Sequence, residues 1–172
     1  SPCRSASKKS GLTRWPSRSG LPVSTLATSL LRDTEAAAGF AAVVATPHFI
    51  PGTAWSADSR VIAERVAAVQ ARLDAEEIPL RVYAGMEIAF HKRLADRLQA
   101  GSVLPLGLSR HFLIEPDFHG SQEDLLHAVR GLLDQGHRVI IAHVERISAF
   151  QRNYDPLLRL AKQGLEIQVN SG

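Results

Sequence analysis

Five short apolar runs constrain this chain more than any other feature. They are AAVVA (41–45), LRVYAG (80–85), HFLIE (111–115), RVIIA (138–142) and LEIQV (165–169). As a set they are β-rich apolar runs rather than polar–apolar alternations, which argues for strands buried on both faces. Between them lie stretches with helical spacing. Residues 25–38 place Leu26, Leu30, Leu31 and Ala37 near one face, with Gly39 as the stop. Residues 57–76 space Ile62, Val66, Val69 and Leu73 by four, three and four. A short helix is predicted around His91–Gln99, and Ser121 is placed to cap another whose apolar face is Leu125, Leu126, Val129, Leu132 and Leu133 and which stops at Gly136. Asp155-Pro156 opens a last helix and Gly164 closes it.

Strands alternating with helices, and strands buried on both faces, give an α/β fold with a parallel sheet and outer helices. An open doubly wound sheet and part of a (β/α) barrel both satisfy this pattern. The 172 residues suffice for one domain with a real core. No apolar run reaches the roughly 20 residues that a bilayer span needs. The single cysteine, Cys3, leaves no internal disulfide framework and suits a reducing cytoplasm.

The net charge of +3 is unevenly placed. Residues 1–20 hold Arg4, Lys8, Lys9, Arg14 and Arg18 and no acid, while the remainder carries 15 basic and 17 acidic residues. The basic character therefore belongs to residues 1–23, which read as a disordered Ser-rich leader, and gives no support to a nucleic-acid face.

In either architecture functional groups collect at the carboxyl ends of the strands. His48 follows the first run, Glu87 the second, Glu115 ends the third, with Asp117 and His119 beyond it, His143 follows the fourth and Asn170 the fifth. His48, Glu87, Glu115 and His143 would form a mixed nitrogen and oxygen ligand set suited to zinc, manganese or iron, with carboxylates able to bridge two ions. Arg146, three residues past His143, is the candidate for binding an anion by paired hydrogen bonds. His91 and His127 fall on helices, and His111 and His137 precede strands, at the wrong rim. There is no G-x-x-x-x-G-K loop, no G-x-G-x-x-G after a strand and no G-x-S-x-G elbow, so nucleotide binding and serine hydrolysis have no support.

The segments VVATPH, IPLRVYAGMEI, HFLIEPDF and RVIIAHVER, in this order, resemble the bacterial tyrosine-protein phosphatases of the PHP (polymerase and histidinol phosphatase) superfamily. The intervals of 39, 28 and 28 residues between His48, Glu87, Glu115 and His143 are similar to that family's. The likeness runs from about Leu26 to Gly172. It implies a partial, distorted (β/α) barrel holding two or three metal ions in an intact member, commonly manganese, with iron or zinc as alternatives. It implies a cytoplasmic enzyme that hydrolyses phosphotyrosine on a tyrosine kinase regulating capsule or exopolysaccharide chain length. On that basis His48 would ligate one ion, Glu87 would bridge two, Glu115 and His143 would complete another shell, and Arg146 would hold the phosphate. Val144 stands where the family usually shows proline. The family's opening His-x-His and closing Asp-x-His pairs have no counterpart, so residues 24–172 read as an incomplete phosphatase domain in which four ligands hold one ion, or two weakly. Hydrolysis of a small phosphomonoester such as histidinol phosphate, and a catalytically dead fragment, are the alternatives. Unclosed sheet edges would favour association into oligomers.

Overall fold

The computed structural model describes residues 31–56 and 58–170. Seven strands and five helices alternate along it: β1 Ala42–Ala45, β2 His48–Phe49, α1 Ser59–Ala75, β3 Arg81–Ala84, β4 Glu87–Ala89, α2 Leu94–Gln99, β5 His111–Glu115, α3 Gln122–Asp134, β6 Arg138–Ile141, α4 Ser148–Arg152, α5 Asp155–Ala161 and β7 Leu165–Ile167. Every strand pair is parallel. β1 pairs with β3, and the remaining five run in the order β2-β4-β5-β6-β7.

The first two apolar runs give β1 and β3, and each is followed at once by a second short strand. Pro47, which has no N–H to offer the ladder, stands at the break between β1 and β2. Gly85 sits at the matching break between β3 and β4, where the chains come very close: a Cβ on Gly85 would lie 2.9 Å from Val44 Cγ1. The Glu87 N–H donates to the Pro47 carbonyl at 3.0 Å and so ties the two breaks together. Counting each broken strand as one, the strands lie in sequence order. That is the winding of a (β/α) barrel wall, not of a doubly wound sheet, whose order reverses at a switch point. Among the described residues the sheet remains open and no barrel closes.

Helix positions follow from their sequences. The Asp58 side chain caps α1 by accepting from the Arg60 N–H at 2.7 Å, and Ile62, Val69 and Leu73 are buried along one stripe. Ser121 caps α3 through the Asp124 N–H at 3.2 Å, and Leu125, Val129 and Leu132 face the sheet. Removing a side chain such as Leu132, 1% exposed, from water contributes about 1.5–3 kcal/mol. α1 packs on β3, α3 on β6 and α5 on β7, while α3 also touches α2 and α5, so the helices form one layer.

Two hydrophobic clusters result. The smaller joins Val69 and Leu73 of α1 to Val82 of β3, with Leu31 packed against them. The larger runs beneath β2, β4, β5, β6 and β7 and includes Phe49, Ile88, Ile114, Val129 and Ile141. Of the helix expected over 25–38, residues 25–30 lie outside the described part, as does the expected leader. What is described is a wide helical turn at Arg32–Ala36, ended as expected by Gly39 at φ +81°.

Candidate metal centre

The register of the sheet separates its two faces. Paired residues in parallel strands share a face, as do residues two apart along a strand. Phe49, Ile88, Ile114 and Ile141 thus lie on the face beneath the helices, all buried. The opposite face carries His48, paired with Glu87, then Glu87 with Leu113 and Leu113 with Ile140. Glu115, paired with Ala89, stands on that same face one step further toward the carboxyl rim. His48 and Glu87 therefore do not follow their strands into loops, as the sequence suggests. Each is the first residue of a second strand segment beyond a break.

Three donors converge there. His48 Nε2 lies 3.6 Å from Glu115 Oε2 and 3.8 Å from Glu87 Oε2, and one donor atom from each of the three residues falls within 4.8 Å of the others. Ligand atoms about 2.1 Å from one ion stand about 3 Å or a little more from each other, so a slight contraction would suit a divalent cation. The chemistry fits as well. Glu87 is only 3% exposed, and a carboxylate out of water needs a compensating charge or hydrogen bonds.

His143 approaches Glu87 from the other side. Its Nε2 lies 2.8 Å from Glu87 Oε1, so the two oxygens of one carboxylate face two different histidines. The Ala142 N–H donates to the Ile114 carbonyl at 2.9 Å and extends the ladder to the edge of the site. His143 then turns the chain sharply at φ 53°, ψ 37°, a left-handed conformation few non-glycine residues adopt and one concentrated at functional sites. A tight turn, Val144–Arg146, follows. Asn170 Nδ2 lies 3.0 Å from His143 Nδ1. The sequence placed Asn170 after the fifth run without giving it a part, since a lone asparagine there carries no signal of its own.

Arg146 is exposed, with its Nε 3.7 Å from Glu145 Oε1. His119 is exposed in the turn after β5 and borders a cavity of about 300 Å3 shared with Phe90, Phe118, Phe150 and Arg152. His91 and His127 are exposed on the surface. His111 opens β5 and meets Glu166 at 3.1 Å, and the His137 ring stands edge-on to Phe112, so neither joins the cluster.

The family model for capsular polysaccharide synthesis proteins, CpsB/CapC, matches residues 24–172. The tyrosine-protein phosphatase YwqE of Bacillus subtilis (strain 168) is 28% identical over 134 residues, covering 78% of this chain and 52% of the relative. The tyrosine-protein phosphatase CpsB of Streptococcus pneumoniae is 29% identical over 135 residues, covering 77% of this chain and 54% of the relative. The chain thus spans about half the length of these relatives. A crystal structure from work on YwqE and CpsB, described as unique metal-dependent tyrosine phosphatases, superposes with a TM-score of 0.75 at 26% identity, covering 85% of this chain and 58% of the other. A shared fold and a family-model match over residues 24–172 converge on one conclusion: the chain belongs to the CpsB/CapC family of capsular polysaccharide synthesis proteins.

Proposed function

We propose that this protein is a metal-dependent protein-tyrosine phosphatase. The observation that carries the reading is the convergence of one ligand atom each from His48, Glu87 and Glu115 within 4.8 Å, with His143 at Oε1 of Glu87. Two relatives named as tyrosine-protein phosphatases and one solved metal-dependent tyrosine phosphatase support it.

In this reading His48, Glu87, Glu115 and His143 hold the metal, and Glu87 is placed to serve two ions because each of its oxygens faces a separate imidazole. With carboxylates and imidazoles and no thiolate, the set suits zinc, manganese or iron, and manganese is the ion that the resemblance to the PHP-type phosphatases implies. When bound, such ions supply positive charge against phosphoryl oxygens and an acidified water. The chain's own part is positional. The buried Glu87 and the strand pairing of His48 with Glu87 hold two donors on a rigid ladder. Arg146, exposed at the end of the tight turn that His143 begins, presents a guanidinium that grips a phosphate by two parallel hydrogen bonds. The substrate is phosphotyrosine on a tyrosine kinase of the capsule machinery, in keeping with the family's association with capsular polysaccharide.

The test is phosphate release from a phosphotyrosine peptide, with manganese added and with a chelator present, alongside calorimetric manganese titration. Release that depends on manganese supports the reading. Selective hydrolysis of a small phosphomonoester over the peptide would replace the substrate, and failure to bind manganese would remove the metal centre.

A further inference from the structure

The surroundings of His143 determine which ring nitrogen carries the proton. An ionised carboxylate only accepts, so the 2.8 Å contact with Glu87 Oε1 puts the hydrogen on Nε2. In the neutral ring Nδ1 is then an acceptor and needs a donor, and the Asn170 amide nitrogen stands 3.0 Å from it. Two neighbours far apart in the chain, Glu87 at the start of β4 and Asn170 beyond the end of β7, thus agree on one tautomer. That tautomer is the wrong one for holding a metal through Nε2, because coordination needs the lone pair there and moves the proton to Nδ1.

We propose that Asn170 is a positioning residue for His143, and that its side-chain amide turns over when a metal ion takes Nε2. The proposal rests on His143 being a ligand, as read above. An amide carries a donor and an acceptor on one planar group, so half a turn about its last torsion swaps NH2 for C=O at the same place. In the metal-free chain Asn170 donates to Nδ1 while Nε2 donates to Glu87. In the metal-bound chain Nδ1 donates to Asn170 Oδ1, and both oxygens of Glu87 are released for coordination. The ring keeps one proton throughout. A carboxylate at position 170 could serve only the second state, and an alanine neither.

The experiment uses the whole chain with histidine 15N labelling, His143→Gln to assign the ring, and zinc as a diamagnetic probe. In the metal-free wild type the His143 signals should show a bare Nδ1 and a protonated Nε2, and zinc should reverse them. Zinc affinity should fall about 10–100-fold in Asn170→Ala, the range typical of lost outer partners of a metal-bound histidine. Asn170→Asp, equal in size, should restore wild-type affinity. Equal affinity in wild type and Asn170→Ala, equal weakness of both variants, or unreversed ring signals in a zinc-bound wild type each overturn the role of Asn170. A wild type that binds no zinc instead overturns the metal centre on which the proposal stands.

Discussion

His143 Nε2 meets Glu87 Oε1 at 2.8 Å although 56 residues separate them in the chain. The contact reaches from the end of β6 to the start of β4, across the intervening β5. It joins two of the four residues proposed to hold metal and buries both, at 3% exposure for Glu87 and 8% for His143.

Glu87 should be the most sensitive member. Glu87→Ala takes away the acceptor of a buried imidazole and should destabilise the metal-free chain by about 1–3 kcal/mol, read from urea unfolding. Glu87→Gln keeps an acceptor oxygen of the same reach and should unfold near the wild-type midpoint. Neither variant should bind manganese well, so stability and metal affinity separate in the glutamine variant.

His48 and Glu115 should behave differently. Their side chains are 23% and 17% exposed, so water can replace much of what each loses. His48→Ala and Glu115→Ala should each shift stability by less than about 1 kcal/mol. Their manganese affinities, measured by calorimetry, should drop by at least the roughly 10–100-fold seen when even an outer partner is lost.

Arg146→Ala should lower kcat/KM for a phosphotyrosine peptide by about 100-fold, as loss of one charge-stabilising donor does. Manganese affinity should be unchanged. Arg146→Lys should recover only part of the loss, because an ammonium is a point charge without the two-pronged geometry.

Gly85→Ala should destabilise the fold through Val44, whose Cγ1 would lie 2.9 Å from the new methyl. Overpacking of this kind costs about 1–3 kcal/mol. Adding Val44→Ala should recover only part of it, since Leu106 Cδ2 at 3.1 Å and the Leu106 Cα at 3.4 Å crowd the new methyl as well.

Asp58 gives the chain one pH signature. The Arg60 N–H that it caps holds its carboxyl below the ordinary value of 3.8. A carboxyl with a folded value below its unfolded one stabilises fully above about pH 4 to 5 and loses that contribution as pH falls through the lower, folded value. The difference in thermal midpoint between wild type and Asp58→Asn, which can still cap, should therefore be constant near neutrality and shrink below pH 3.8.

The strand and helix order was legible because apolar runs and helical spacing are local signals. Ser121 and Asp155-Pro156 mark α3 and α5 at the residues where they begin. The doubling of the first two strands was not legible. Pro47 and Gly85 look like strand ends in sequence, and only their lateral pairing, with Glu87 N–H on the Pro47 carbonyl, carries the sheet past them. The four candidate residues stood out because each falls at or just past the end of an apolar run. Their actual partners did not. That Glu87 faces His48 on one side and His143 on the other depends on register, which no run of residues in a single strand encodes. Asn170 escaped for the same reason.

The twin interruptions at Pro47 and Gly85 also divide the labour of the molecule. β1 and β3 rest on α1 and the Val69–Leu73–Val82 cluster, whereas His48 and Glu87 ride on short segments seated over the larger core. The two regions meet at few places, Val66 of α1 packing against both clusters, so a shortened valine in the first reaches the reactive groups only through such shared links.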